Sequence, residues 1–216
     1  MNISVKICGI TRPEDALYAE KLGASAIGFV FFRKSPRYIV PEKAVEISQN
    51  LGPFIARVGV FVDEDQDTIR NIIKTVRLTA VQLHGSESPE YIESLKGINI
   101  IKAFRVGPDY EYEKLRRYDV SAFLLDTYAS NMYGGTGKPL DWEKAYQWRN
   151  CGRIILAGGL NVSNIHEALV TAQPWGVDVS SGVETSPGIK DPEKMRAFVK
   201  EIKKVKIPDE NERHFS

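Results

Sequence analysis

The side chains best suited to chemistry fall at the ends of predicted strands. Cys8 closes the run Val5-Lys6-Ile7-Cys8, in which Val5 and Ile7 share one face and Ser4, Lys6 and Cys8 the other. Gly9 then turns the chain. Thr11-Arg12-Pro13-Glu14 opens a helix, with Thr11 or Arg12 near the cap and Pro13 in the first turn. The thiol thus lies at the C-terminal mouth of a strand. A free cysteine by itself reads as a small buried hydrophobe, but the company it keeps changes that reading. Asp126 closes a second apolar run, Ala122 to Leu125, and the parity of the strands places Lys6, Gln82, His84, Lys102, Asp126 and Asp178 on the same side as Cys8. Polar groups gathered inside a sheet are costly unless paired or used. A thiolate base and a carboxylic acid suit proton removal at one atom and protonation at another.

Positioning these groups requires many parallel strands. Strand signals recur at Val5 to Cys8, Ala26 to Phe31, Arg57 to Val62, Thr79 to Leu83, Asn99 to Phe104, Ala122 to Leu125, Arg153 to Leu156 and Gly176 to Val179. Helical patterns stand between them, as at Pro13 to Leu22, which stops at Gly23. Repeated β/α units imply parallel strands, and eight in one chain favour closure into a single-domain α/β fold, the (β/α)8 TIM barrel. The barrel is expected over residues 1–206, and residues 207–216 read as a polar, mobile C-terminal tail. In a closed eight-stranded barrel the sixth strand lies three places from the first. Cys8 and Asp126 would therefore bracket a ligand rather than touch.

Composition narrows the partners. The 216 residues carry a formal charge of +1, which suggests neither nucleic acid nor an anionic membrane. No apolar run is long enough to span a bilayer, and the N-terminus does not read as a signal peptide. The two cysteines, Cys8 and Cys151, form no metal-ligand pattern, so the expectation is a reducing cytoplasm, with no metal site.

Two glycine-bearing turns follow the last strands: Ala157-Gly158-Gly159-Leu160 after the seventh, and Ser180-Ser181-Gly182-Val183-Glu184 after the eighth. Barrel enzymes commonly seat a substrate phosphate between these loops, so Gly158, Gly159, Ser180, Ser181 and Gly182 are expected to bind one. Gly134-Gly135-Thr136-Gly137-Lys138-Pro139 is not a phosphate-binding P-loop, because Pro139 stands where Ser or Thr should ligate magnesium; a flap over the mouth fits it better. Arg37, in the basic loop after the second strand, is a candidate clamp for a carboxylate, with a solvated arginine as the alternative. His84 is open between a structural and a substrate-binding role, and Gln82 and Asp178 join it as candidate substrate contacts. Two other readings remain: a Schiff-base lyase using Lys6 or Lys102, and a phosphate-ligand binding protein without turnover.

Taken together the motifs resemble the phosphoribosylanthranilate isomerase family of tryptophan biosynthesis. The matching stretches are Lys6-Ile7-Cys8-Gly9-Ile10-Thr11, Gly28-Phe29-Val30-Phe31, Ser35-Pro36-Arg37-Tyr38, Arg57 to Phe61, Gln82-Leu83-His84-Gly85, Leu125-Asp126, Gly134 to Lys138, Ala157 to Leu160 and Asp178 to Glu184. They run in order over nearly the whole chain. One departure is Pro139-Leu140 ahead of Asp141-Trp142, where the family often has Phe before Asp-Trp. The resemblance implies an Amadori rearrangement with Cys8 as general base, Asp126 as general acid, Arg37 on the anthranilate carboxylate and the last two glycine loops on phosphate. It also implies a small-molecule substrate, no cofactor and no metal, and it leaves a homodimer open. That chemistry needs Asp126 protonated near neutral pH and the Cys8 thiol shifted downward by nearby cations.

Overall fold

Successive side chains of a strand point to opposite faces, which sorts them between the barrel axis and the surrounding helices. The computed structural model describes residues 3–107, 110, 112–126 and 142–206. Eight parallel strands close in sequence order: β1 (Ser4–Cys8), β2 (Ala26–Val30), β3 (Ala56–Phe61), β4 (Ala80–Leu83), β5 (Ile100–Arg105), β6 (Ala122–Asp126), β7 (Ile154–Ala157) and β8 (Gly176–Val179). The seam is β1 against β8, with Lys6 beside Asp178 and Ile7 beside Val179. The expected (β/α)8 barrel is the observed one.

Seven α-helices are present among the described residues: α1 (Pro13–Leu22), α2 (Pro41–Gln49), α3 (Gln66–Val76), α4 (Pro89–Glu93), α5 (Trp142–Gln147), α6 (Ile165–Ala172) and α7 (Pro192–Lys204). Between β5 and β6 stands a 3-10 turn, Tyr112–Arg117, instead of an α-helix. Their starts follow local chemistry. Proline occupies the first turn of α1, α2, α4 and α7, where its missing N–H costs nothing. Asp65, Ser88 and Asp191 cap α3, α4 and α7 by accepting from backbone N–H groups. Arg12 is the residue ahead of α1, and its side chain pairs with Asp15 rather than capping.

The main core lies between barrel and helices, where Val5, Ile7, Ile27, Phe29, Phe61 and Leu125 meet buried helix residues such as Ile69 and Phe198. Inside the barrel two smaller apolar groups face each other. One holds Ala103, Ala122, Leu124, Ile155 and Ala157; the other holds Cys8, Val30 and Val60. Below them, at the N-terminal ends of the strands, small residues (Ala26, Ala56, Ala80, Ala122) leave an apolar cavity of about 220 Å³.

One assignment from strand parity is corrected. Lys102 does not face the axis. Ile101 and Ala103 take the inward positions of β5, and Lys102 points to the helix side. There it is 2% exposed, donates to Glu87 at 2.8 Å and to the Gly85 carbonyl at 2.7 Å, and lies over the Phe104 ring. Both faces of β5 are apolar enough that alternation alone leaves its parity undetermined. The candidate flap at residues 134–139, the Pro139-Leu140 departure and the tail at 207–216 lie outside the described residues.

Candidate active site

Cys8 ends β1 with 8% exposure, against Val30 and Val60 at the C-terminal side of the barrel. Its neighbour across the strand pair is Gly28. A Cβ there would stand 2.8 Å from Cys8 Sγ and 3.1 Å from Lys6 Nζ, so only glycine leaves room for the thiol and the ammonium together. Lys6 is buried. It donates to both Asp178 oxygens at 3.0 Å and to Gln82 Oε1 at 2.9 Å. Burial opposes its charge, but Asp178 and Cys8 outweigh that and hold it above the ordinary lysine value.

The expected downward shift at Cys8 is not what the site provides. Burial pushes its thiol up, Asp178 adds to this, and Lys6 and Lys190 only partly offset it. Burial is the main cause, and the neighbouring cation Lys6 is paired with a carboxylate of its own, Asp178.

Across the mouth, Asp126 ends β6 with a quarter of its side chain exposed, its Oδ2 3.1 Å from His84 Nε2. His84 Nδ1 in turn lies 2.8 Å from Gln82 Nε2. Gln82, expected to touch substrate, is 1% exposed with both ends of its amide engaged by the protein. Asp178 is likewise buried against Lys6. Position on the axis was legible in the sequence, but depth along the axis was not.

Arg37 reaches back over the mouth from the loop after β2. Its Nε and Nη2 fork Glu184 at 2.9 and 2.6 Å. Glu184 heads the short hairpin β9 (Glu184–Ser186) and β10 (Ile189–Lys190) that follows β8. The buried Lys190 ammonium completes the group, donating to Glu184 Oε1 at 2.7 Å and to the Cys8 carbonyl. Burial weighs against the Glu184 carboxylate, yet Arg37 and Lys190 hold it below the usual glutamate range; burial also pulls Lys190 below the ordinary lysine value despite Glu184. Glu184 stood in a recognised motif without a role, and Lys190 was missed. Nothing in local spacing marks a lysine 182 residues after Cys8 as its neighbour.

The two glycine turns meet. Gly158 and Gly159 adopt φ of +78° and +66°, and a Cβ on Gly182 would stand 1.9 Å from the Leu160 carbonyl oxygen, so the loops after β7 and β8 touch only because Gly182 lacks one. The Ser180 hydroxyl, 3.1 Å from where a Cβ on Gly9 would stand, is buried without a hydrogen-bond partner. Ser181 begins a three-residue 3-10 turn. Among the described residues no group of three or more His, Cys, Asp or Glu side chains is placed to hold a metal ion.

A sequence model of the family N-(5'-phosphoribosyl)anthranilate (PRA) isomerase matches residues 5–201. The chain belongs to the phosphoribosylanthranilate isomerase family. It is 52% identical over 201 residues to the N-(5'-phosphoribosyl)anthranilate isomerase of Geobacter sp. (strain M21), covering 93% of this chain and 98% of that one. A crystal structure of a family member in complex with reduced 1-(o-carboxyphenylamino)-1-deoxyribulose 5-phosphate superposes with a TM-score of 0.84 at 42% identity, over 94% of this chain and 100% of the other. Monomers generated from the dimeric enzyme of Thermotoga maritima align with a TM-score of 0.82 at 40% identity, over 94% and 100% of the two chains.

Both lysines of the lyase reading are occupied. Lys6 is held by Asp178 and Gln82, and Lys102 faces away from the mouth against Glu87. A Schiff-base nucleophile must be free to reach the substrate, and neither is.

Proposed function

We propose that this chain catalyses the Amadori rearrangement of N-(5-phosphoribosyl)anthranilate to 1-(2-carboxyphenylamino)-1-deoxyribulose 5-phosphate, a step of tryptophan biosynthesis, by general acid and base catalysis. The observation that carries the reading is the placement of Cys8 and Asp126 at the C-terminal ends of β1 and β6, three strands apart around one closed barrel. Asp126 gives its proton to the ribose ring oxygen as the C1′–O bond breaks, and the electron pair of that bond stays on the oxygen. The iminium left at C1′ acidifies C2′. Cys8 thiolate takes the C2′ proton, and the C–H electron pair moves toward nitrogen to leave an enolamine. Loss of the enol O–H proton and protonation at C1′ give the ketone. The substrate's own nitrogen is the electron sink, so the chemistry draws on no cofactor.

The surrounding side chains fit the rest of the substrate. Glu184 takes the Nε edge of Arg37, which leaves the far N–H groups of the guanidinium for a second carboxylate, here that of anthranilate. The unpartnered Ser180 hydroxyl and the N–H groups of Gly158, Gly159, Ser181 and Gly182 suit the phosphate. Asp178 acts beneath the reacting atoms through Lys6. Turnover is tested by mixing purified protein with freshly made glycosylamine and following loss of anthranilate fluorescence. Catalysed loss is expected, and a rate equal to the spontaneous one overturns the reading.

We also infer a homodimer joined through the N-terminal ends of the barrels. Phe54, two residues before β3, is 99% exposed at the end that holds the apolar cavity, and a large exposed ring at the same end as a small-residue cavity is suited to a contact between copies. No described helix is long and apolar enough to cross a membrane, and a cytoplasmic location accords with this chemistry.

A further inference from the structure

A line of hydrogen bonds crosses the barrel interior from β8 to β6. Asp178 holds Lys6, Lys6 holds Gln82, Gln82 meets His84, and His84 meets Asp126, at separations of 3.0, 2.9, 2.8 and 3.1 Å. The line has a direction, because its members differ in what they can give. A lysine ammonium only donates, so the Gln82 oxygen must face Lys6 and its NH2 must face His84. An NH2 only donates as well, so His84 Nδ1 must present its lone pair. A neutral imidazole with an unprotonated Nδ1 carries its proton on Nε2, the nitrogen that faces Asp126. Protonating Nδ1 would set two donors head to head in a largely buried place, which costs the price of an unmade hydrogen bond.

We propose that Lys6 and Gln82 are positioning residues that lock His84 as the neutral Nε2–H tautomer, and that His84 thereby occupies Asp126 Oδ2 and leaves Oδ1 as the oxygen that carries the catalytic proton. This rests on the isomerase reading for the role of Asp126. It assigns Gln82 and His84 an orienting task rather than direct contact with substrate. An acid that must protonate one ring oxygen gains from having a single oxygen able to hold the proton at a fixed angle. The ammonium at the head of the line is secure, since Asp178 keeps Lys6 charged despite its burial.

The tautomer is read without substrate. The chain has three histidines, His84, His166 and His214, so long-range proton–nitrogen correlation spectra of histidine-labelled protein are simple to assign, with His84→Gln identifying the signal lost. The expected result is Nε2 protonated and Nδ1 bare. Gln82→Glu keeps the shape but puts an acceptor against Nδ1, so the proton should move to Nδ1. With Asp126 then facing a bare Nε2, kcat should fall roughly 10- to 100-fold, a fraction of what a general acid supplies, while KM stays within about twofold because no substrate contact is lost. Gln82→Met, which removes the hydrogen bonds without adding charge, should give a mixture of tautomers and an intermediate kcat. An Nδ1–H tautomer in the unaltered protein overturns the proposal. So does a Gln82→Glu protein whose tautomer inverts at full kcat, or one whose loss lies in KM, which would make Gln82 a substrate contact. Unaltered protein without turnover would instead overturn the functional reading while the spectra still judge the hydrogen-bond line.

Discussion

At the scale of single residues, the surroundings of Cys8 oppose the thiolate that the proposed base needs. Burial and the Asp178 charge both disfavour the Cys8 thiolate, so the rising limb of kcat/KM, which reports the free enzyme, should lie above the ordinary thiol value of about 8.5. The sign of one change follows directly. Asp178→Asn deletes a negative charge that raises the Cys8 pKa, so the limb should move to lower pH; a limb that stays or rises would remove Asp178 from the electrostatics of Cys8. Arg37 gives a second prediction at this scale. Its fork on Glu184 fixes the guanidinium in one plane, and lysine cannot hold two carboxylates in that plane. Arg37→Lys should weaken binding by roughly 1–3 kcal/mol, the range for charge-assisted hydrogen bonds, seen as a raised KM. Unchanged kinetics would return Arg37 to a structural role with Glu184.

The elements show what could be read from the chain and what could not. Branched residues at alternate positions made the eight strands legible, and prolines, Asp and Ser at helix starts made most of the helices legible. Cys8, Asp126 and the meeting of the two glycine turns were also legible, since a strand end in a parallel barrel fixes a residue's place by topology alone. Lys102 was misplaced because β5 is apolar on both faces. The roles of Glu184 and Lys190 were hidden because they depend on a two-strand hairpin folding back onto the C-terminal end of β1, a contact between distant parts of the sequence. That hairpin carries its own prediction. Glu184 joins Arg37, Lys190 and the Gly188 N–H, and removing one partner from a buried ion pair costs about 3–5 kcal/mol. Glu184→Gln should therefore lower Tm by on the order of 10 °C in a chain of this size. Because Arg37 and Lys190 hold the folded-state pKa below the ordinary glutamate value, the stabilisation is present above about pH 4.3 and is lost as pH falls through the folded value. The stability gap between the two proteins, followed by denaturant unfolding, should narrow in acid; a gap constant from neutral pH to pH 3 would contradict the linkage.

For the whole molecule, the two ends of one barrel have different work. The N-terminal end carries the apolar cavity and the exposed Phe54. Phe54→Asp should shift the protein from dimer to monomer in sedimentation velocity while leaving the chemistry at the opposite end in place; an unchanged sedimentation coefficient would rule this end out as the interface. The C-terminal end carries Cys8 and Asp126, and closure of the sheet is what lets β1 and β6 face each other. The most direct test of base and acid acting from opposite sides is single-turnover kinetics on Cys8→Ser and Asp126→Asn with N-(5-phosphoribosyl)anthranilate. Each variant should bind the substrate with a Kd close to that of the unaltered protein and lose at least about a hundredfold in the chemical step, the contribution of a positioned acid or base. If either variant turns over at near the unaltered rate, the proton is moved by another group and the opposed pair is not the catalytic machinery.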